Sequence, residues 1–208
     1  MLLSVIQARL TAMVPAYDSV PSSDQYGQAV EDAVNDFSNR RPLVKTTTLN
    51  LVDDTADYDL PSDFLRVIRL RAPEAADYYT DTWEVKDVDT ITFYPTPDTA
   101  HDLTLRYCAK HAGTASNGDT DCADLTDADA RVLLYKAKAY CLEMQADKAA
   151  RDAWQYSEGE QVVNKTKQSE AFRKMAEAAH SDYLRELKAL PTGVGAREGL
   201  TEMARSGD

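Results

Sequence analysis

The chain has 208 residues, 43% hydrophobic and 28% charged, a globular composition long enough for one domain with a large insertion. A formal net charge of −12 argues against wrapping duplex DNA through phosphate contacts. No apolar run approaches the ~20 residues of a membrane helix, and Met1-Leu2-Leu3-Ser4-Val5 lacks the basic leader of a secretory signal.

From the N-terminus, Ser4 is expected to cap a short helix with Val5, Ile6, Leu10 and Met13 on one side, stopped by Pro15. Ser23 is expected to cap a second helix. Tyr26, Val30, Ala33, Val34 and Phe37 recur there at helical spacing until Arg40-Arg41-Pro42. At Val44 the period changes. Lys45 to Leu51 is rich in β-branched residues, and Asp53-Asp54-Thr55 makes a turn. Residues 64–71 alternate arginine with aliphatic residues, imperfectly, and the three arginines are expected to pair with acidic loops. Trp83-Glu84-Val85 and residues 88–94 bracket a tight Lys86-Asp87 connection, and residues 103–107 form a strict period-two strand. Residues 44–109 therefore read as an antiparallel β module.

After a polar loop, Thr126 caps a third helix whose stripe is Leu133, Leu134, Ala137, Tyr140, Cys141 and Met144. It is expected to run to about Tyr156, with Gly159 as the break. A last long helix carries Val162, Val163, Phe172, Met175, Ala179, Tyr183, Leu184 and Leu187 and ends at Pro191. The predicted class is α+β: a helical bundle of N-terminal helices plus two long C-terminal helices, with an inserted antiparallel β module. The helical body takes residues 1–43 and 110–190, the β module 44–109, and a glycine-rich, flexible tail 191–208.

Chemistry is sparse. Cys108, Cys122 and Cys141 are odd in number with no CxxC pair, which fits a reducing cytosol. Cys108, His111 and Cys122 fall one ligand short of a zinc site, so Cys108 reads as a buried hydrophobe and His111 as a surface histidine. Asn117, Asp119, Asp121 and Asp124 lack the glycine and glutamate of an EF-hand loop. No GxSxG or HExxH is present, and Gly193, Gly195 and Gly199 do not open a helix, so neither an enzyme nor a cofactor is expected. Residues 1–130 hold 23 acids and 10 bases, whereas residues 131–208 hold 12 acids and 13 bases. The acidic excess thus lies in the first part of the chain, and solubility alone is one explanation for it.

The block Tyr58-Asp59-Leu60-Pro61-Ser62-Asp63-Phe64-Leu65-Arg66-Val67 reads as a strand end, a turn and a re-entry into the core through Phe64 and Val67. In Tyr58, Leu60, Pro61, Asp63, Phe64 and Val67 it resembles the YxLPxDFxxV segment of head-to-tail connector proteins (adaptor, neck, head-completion) of tailed bacteriophages. Thr92 to Pro97 followed by residues 103–107 is similar to that group's paired strands around a P-x-P turn. The two C-terminal helices resemble its C-terminal half.

The resemblance implies a non-enzymatic virion protein made in the host cytoplasm. It would be a homo-oligomeric ring, usually of twelve subunits, joining the portal protein to tail or neck proteins below, with the genome passing through its centre. On that reading Leu190, Leu200 and Met203 are expected to anchor the tail on the portal. Asp18, Asp24, Glu31, Asp32 and Asp36 are candidates to face the DNA channel. The alternatives are another neck connector, such as a tail-terminator or stopper ring, and a ligand- or sugar-binding β module with Tyr78, Tyr79 and Trp83 as its platform.

Overall fold

The computed structural model describes residues 3–71, 82–87, 89–111, 125–152, 155–158, 161–164 and 166–190. The expected metal-loop acids, the C-terminal tail and the aromatic pair Tyr78-Tyr79 lie outside them. The described residues divide into two compact units, one from residues 3–37 and 125–190, the other from residues 38–111. Helices dominate the first and antiparallel strands the second, an α+β protein.

In the helical unit, α1 (Leu3–Met13) buries Leu3, Ile6 and Leu10, and Val14 continues the line just beyond its end. Spacings of three and four residues put these four on one stripe. Val5 and Met13 fall off it and are 38% and 43% exposed, so the predicted side was one position out of phase. Ser4 lies inside α1 and does not cap it. In α2 (Ser23–Arg40) the cap is Ser22, one residue before the expected Ser23. Its Oγ accepts from Gln25 N (3.3 Å) while its own N–H donates to Gln25 Oε1 (2.7 Å), a reciprocal capping box. Thr126 caps α3 (Asp127–Arg151) in the same way with Asp129.

Helix α3 is buried on most of its circumference, and α1 and α4 (Thr166–Ala189) pack against it. Gln145, 2% exposed, donates to Pro15 O (2.8 Å) and Val20 O (3.2 Å), tying the α1–α2 connection to α3. On α4, Ala176, Ala179 and Tyr183 are buried, while Met175, expected in the stripe, is 49% exposed. The predicted helix to Tyr156 stops at Arg151. Gln155–Glu158 (β7) and Gln161–Asn164 (β8) form a hairpin, so Val162 and Val163 belong to a strand. The register pairs Glu158 with Gln161, leaving two residues between the strands. Gly159, the expected break, lies outside the described residues, and the β-branched Val162-Val163 pair suits a strand better than a helix.

The second unit holds two three-stranded antiparallel sheets. One is β1 (Leu43–Leu51), β6 (His101–Ala109) and β3 (Phe64–Arg71), with β6 central. The other is β2 (Asp57–Asp59), β5 (Thr90–Tyr94) and β4 (Thr82–Lys86), with β5 central. Leu49, Leu51, Leu60, Phe64, Leu70, Ile91, Phe93, Leu103 and Leu105 form their common core. Burying a side chain of this kind stabilises the fold by about 1.5–3 kcal/mol. Lys86 pairs with Thr90, so the β4–β5 connection is residues 87–89, one residue longer than expected, and Asp87 takes a left-handed φ of 59° there.

Candidate functional site

The corner between β2 and β3 gathers the motif residues. The Tyr58 hydroxyl accepts from Val52 N (2.9 Å) and has Thr55 O at 2.8 Å, which fixes the β1–β2 loop over the Phe93 ring (centroids 5.7 Å, 73°). Leu60 is buried and its N–H donates to Asp89 O (2.6 Å). Phe64 N donates to Pro61 O (2.9 Å), closing the turn that proline's fixed φ favours. Phe64 then packs on Tyr107, with centroids 5.9 Å apart, and Val67 packs against the same core.

Asp63 joins all three strands of the first sheet. Its Oδ2 receives Lys45 Nζ of β1 (2.8 Å), its Oδ1 the Tyr107 hydroxyl of β6 (3.0 Å), and its carbonyl the N–H of Lys110 (2.7 Å). Lys45 and Tyr107 are cross-strand partners, and Val67 faces Tyr107 from the other side. Partial burial pushes the Asp63 carboxyl up, but the hydrogen bonds from Lys45 and Tyr107 outweigh it and hold the group below its ordinary value. Burial, reinforced by the Asp63 carboxylate, raises the Tyr107 phenol to about 12. This corner holds the sheet together.

The opposite face of the same sheet is basic. β3 departs from its register between Phe64 and Arg66 and again between Val67 and Arg69. These two irregularities absorb Leu65 and Ile68, so Arg66 pairs with Cys108, Arg69 with Arg106 and Arg71 with Thr104. Phe64, Val67 and Leu70 stay opposite Ala109, Tyr107 and Leu105 on the core side. The imperfect alternation in the sequence is thereby a perfect division in the sheet. Arg106 joins the three arginines of β3 on this face. The sequence reading missed it because cross-strand register is a tertiary property, although the strict period of β6 already put Arg106 on the non-core side. Arg66 Nε donates to Cys108 Sγ at 3.3 Å.

The five candidate channel acids sit in different surroundings. Asp18 pairs with Lys148 (3.0 Å), and Asp36 accepts the hydroxyl of the fully buried Tyr183 (2.6 Å). Both help to hold the helical unit. Asp24 is exposed in the first turn of α2, and Asp32 accepts from Gln28 Nε2 (3.0 Å). Asp24, Gln28 and Asp32 are four apart, so they line one stripe of α2, with Glu31 half-buried beside it. Leu190 is partly buried against the helical core; Leu200 and Met203 lie outside the described residues.

His111 is buried, not a surface residue as expected. Its N–H donates to Ser38 Oγ (3.1 Å) and its Nε2 lies 2.8 Å from Arg41 O, so it secures the end of α2 to the end of β6. Cys108 is buried, as read from the sequence, while Cys122 is outside the described residues. Among the described residues no group of three or more His, Cys, Asp or Glu could hold a metal ion, and no helix is long and apolar enough to cross a membrane. Trp83, from the suggested aromatic platform, is partly buried against the β core.

No curated protein matches the chain. A family model does: residues 2–186 match that of the SU10 adaptor protein.

Proposed function

We propose, since the chain belongs to the SU10 adaptor protein family, that it is a structural subunit of a tailed-phage particle. In this reading it forms a ring of twelve copies between the portal protein and the tail or neck proteins below, with DNA passing through the centre. The observation that carries the reading is the family match over residues 2–186, nearly the whole chain. A structural part fits the candidate site as well, because Asp63, Lys45 and Tyr107 tie the three strands of one sheet together at the motif corner.

The ring body would be residues 1–43 and 110–190, with residues 44–109 as the β module and residues 191–208 reaching the portal. Asp24 and Asp32, on one stripe of α2, are the acids best suited to face passing DNA, since no base pairs with either among the described residues. Duplex DNA carries a charge every ~1.7 Å, and a basic wall would bind it through counterion release. An acidic wall repels it weakly, over a Debye length of ~8 Å at physiological salt. Leu200 and Met203 would serve as the portal anchors, with Leu190 fixing the point where the tail leaves the bundle. The test is an image of the purified protein mixed with portal-bearing heads. Rings on the portal axis are the expected result, and heads that stay bare at saturating protein would end the reading.

A further inference from the structure

We propose that α1 of one copy of this chain packs across α4 of the next, with Val5, Arg9 and Met13 seated on Met175, Ala178 and Asp182. This inference rests on the ring reading above and names the surfaces that would join its helical body from copy to copy.

The first observation is composition. Residues 1–17 contain a single charged residue, Arg9, in a chain that is 28% charged. α1 buries Leu3, Ile6 and Leu10 on one side, yet the side turned away from them carries Val5, Ala8, Ala12 and Met13, all exposed. A helix that is apolar on both sides is normally a covered one, and a contiguous exposed apolar patch marks a contact surface. Arg9 lies in this patch, is exposed, and forms no ion pair among the described residues.

The second observation is a matching surface on the same helical unit. Among the described residues of the four helices, Met175 is the one large apolar side chain outside α1 that stands exposed. Ala171, Ala178 and Asp182 follow it at helical spacing and share its side of α4, away from the buried Ala176, Ala179 and Tyr183. Asp182 Oδ1 meets Arg185 (2.8 Å), and its Oδ2 has no partner among the described residues. Val5, Arg9 and Met13 are four apart and form one ridge of α1; Ala178 and Asp182 form a ridge of the same kind on α4. Such ridges interdigitate in the commonest helix crossing. A crossing that sets Arg9 on Asp182 also sets Met13 over the small Ala178, because the two pairs have the same spacing.

The third step is symmetry. A two-fold contact of α1 with α1 would bring the Arg9 side chains of both copies together near the middle of an 11-residue helix, and like charges across an interface disfavour that pairing. A two-fold contact of α4 with α4 would leave both α1 faces bare. Packing α1 on α4 covers each apolar side and gives Arg9 a carboxylate. It is a heterologous contact, in which each copy offers α1 to one neighbour and α4 to the other, and the series closes as a ring.

The experiment uses the full chain with Met13→Lys as one variant and Met175→Glu as another, followed by sedimentation velocity of each, free and with portal-bearing heads. Each variant alone should assemble about tenfold or more weaker than the wild type, because a lone charge is buried at every contact. An equimolar mixture should recover assembly: in alternation, every contact is either lysine on glutamate or the wild-type pair. Misfolded chains could not do this. Variants that assemble like the wild type, or a mixture no better than its components, overturn the packing of α1 on α4 while rings on the portal axis keep the ring reading intact. Weakening by Met13→Lys alone would assign α1 to a different partner, the portal or a tail protein, and equally overturn the proposal. A wild-type chain that never assembles, free or on portal-bearing heads, removes both.

Discussion

The Asp63 carboxylate accepts the Tyr107 hydroxyl at 3.0 Å across 44 residues of sequence, and the same carboxylate holds Lys45 at 2.8 Å. One side chain in a turn thereby fixes the register of three strands. Asp63→Ala is expected to cost about 1–3 kcal/mol, since it leaves the buried phenol without its acceptor. Tyr107→Phe should cost about 0.5–1.5 kcal/mol. The two losses should not add, because the residues share one hydrogen bond. Urea unfolding of the single and double variants checks this, and strict additivity would show that the pair is not coupled.

The same pair sets a pH dependence at both ends. Asp63 has a lowered value in the folded state, so its contribution is present above the unfolded carboxylate value of about 3.9 and is lost as pH falls through the lower folded value. Tyr107 is raised to about 12, so its contribution is present below the unfolded value of about 10 and is lost as pH rises from there through about 12. Thermal melts should fall in both directions. In Tyr107→Phe the alkaline fall attributable to this phenol should vanish; an unchanged alkaline limb would show that Tyr107 does not titrate this way.

In the helical unit, Leu133 is fully buried in α3, whereas Tyr140 is only partly buried and has Lys136 Nζ 4.6 Å from its ring centroid. Leu133→Ala is expected to cost about 2–5 kcal/mol through the cavity it leaves. Tyr140→Ala should cost less, because part of its ring already meets water and the surroundings can close over the gap. Chemical denaturation that ranks them in the reverse order would place Tyr140, not Leu133, at the centre of the core.

Much of this fold is legible in the residues, and the failures have identifiable causes. Thr126 and Asp129 announce the α3 cap because a capping box is local chemistry. Ser22 and Gln25 announce α2 in the same way, but the adjacent Ser23 made the wrong cap look adequate. The strands from Leu43 to Ala109 follow from the change of period. The hairpin of β7 and β8 was hidden because it sits between two helical patterns and is short, so Val162 and Val163 could be counted into α4. At the candidate site, Asp63 stood out in the motif, but Lys45 and Tyr107 did not. Pairing across β1, β3 and β6 is long-range, and the irregularities that align the arginines appear in the sequence only as a flaw in alternation.

The last prediction concerns residues 191–208. Leu190 N donates to Glu186 O (3.1 Å), and the Leu190 side chain packs against the helical core, so the described bundle is tied down as far as that residue. Truncation after Leu190 should therefore leave the melting temperature of the subunit unchanged, whereas Leu190→Ala should lower it. Beyond it, Pro191, Gly193, Gly195 and Gly199 oppose a continuing helix, and Leu200 and Met203 are spaced to share one face if a partner orders them. Burying the two would give roughly 1.5–3 kcal/mol each, less the entropy of ordering a glycine-rich segment, so one tail would hold a portal only weakly. Linked in a ring, many tails would bind well through their effective concentration. Truncation should accordingly abolish attachment to portal-bearing heads in a pull-down while leaving folding and self-association intact. Leu200→Ser with Met203→Ser should do the same without shortening the chain. Attachment undiminished in both variants would show that the portal is gripped elsewhere, and loss only on truncation would assign the grip to other residues of the tail.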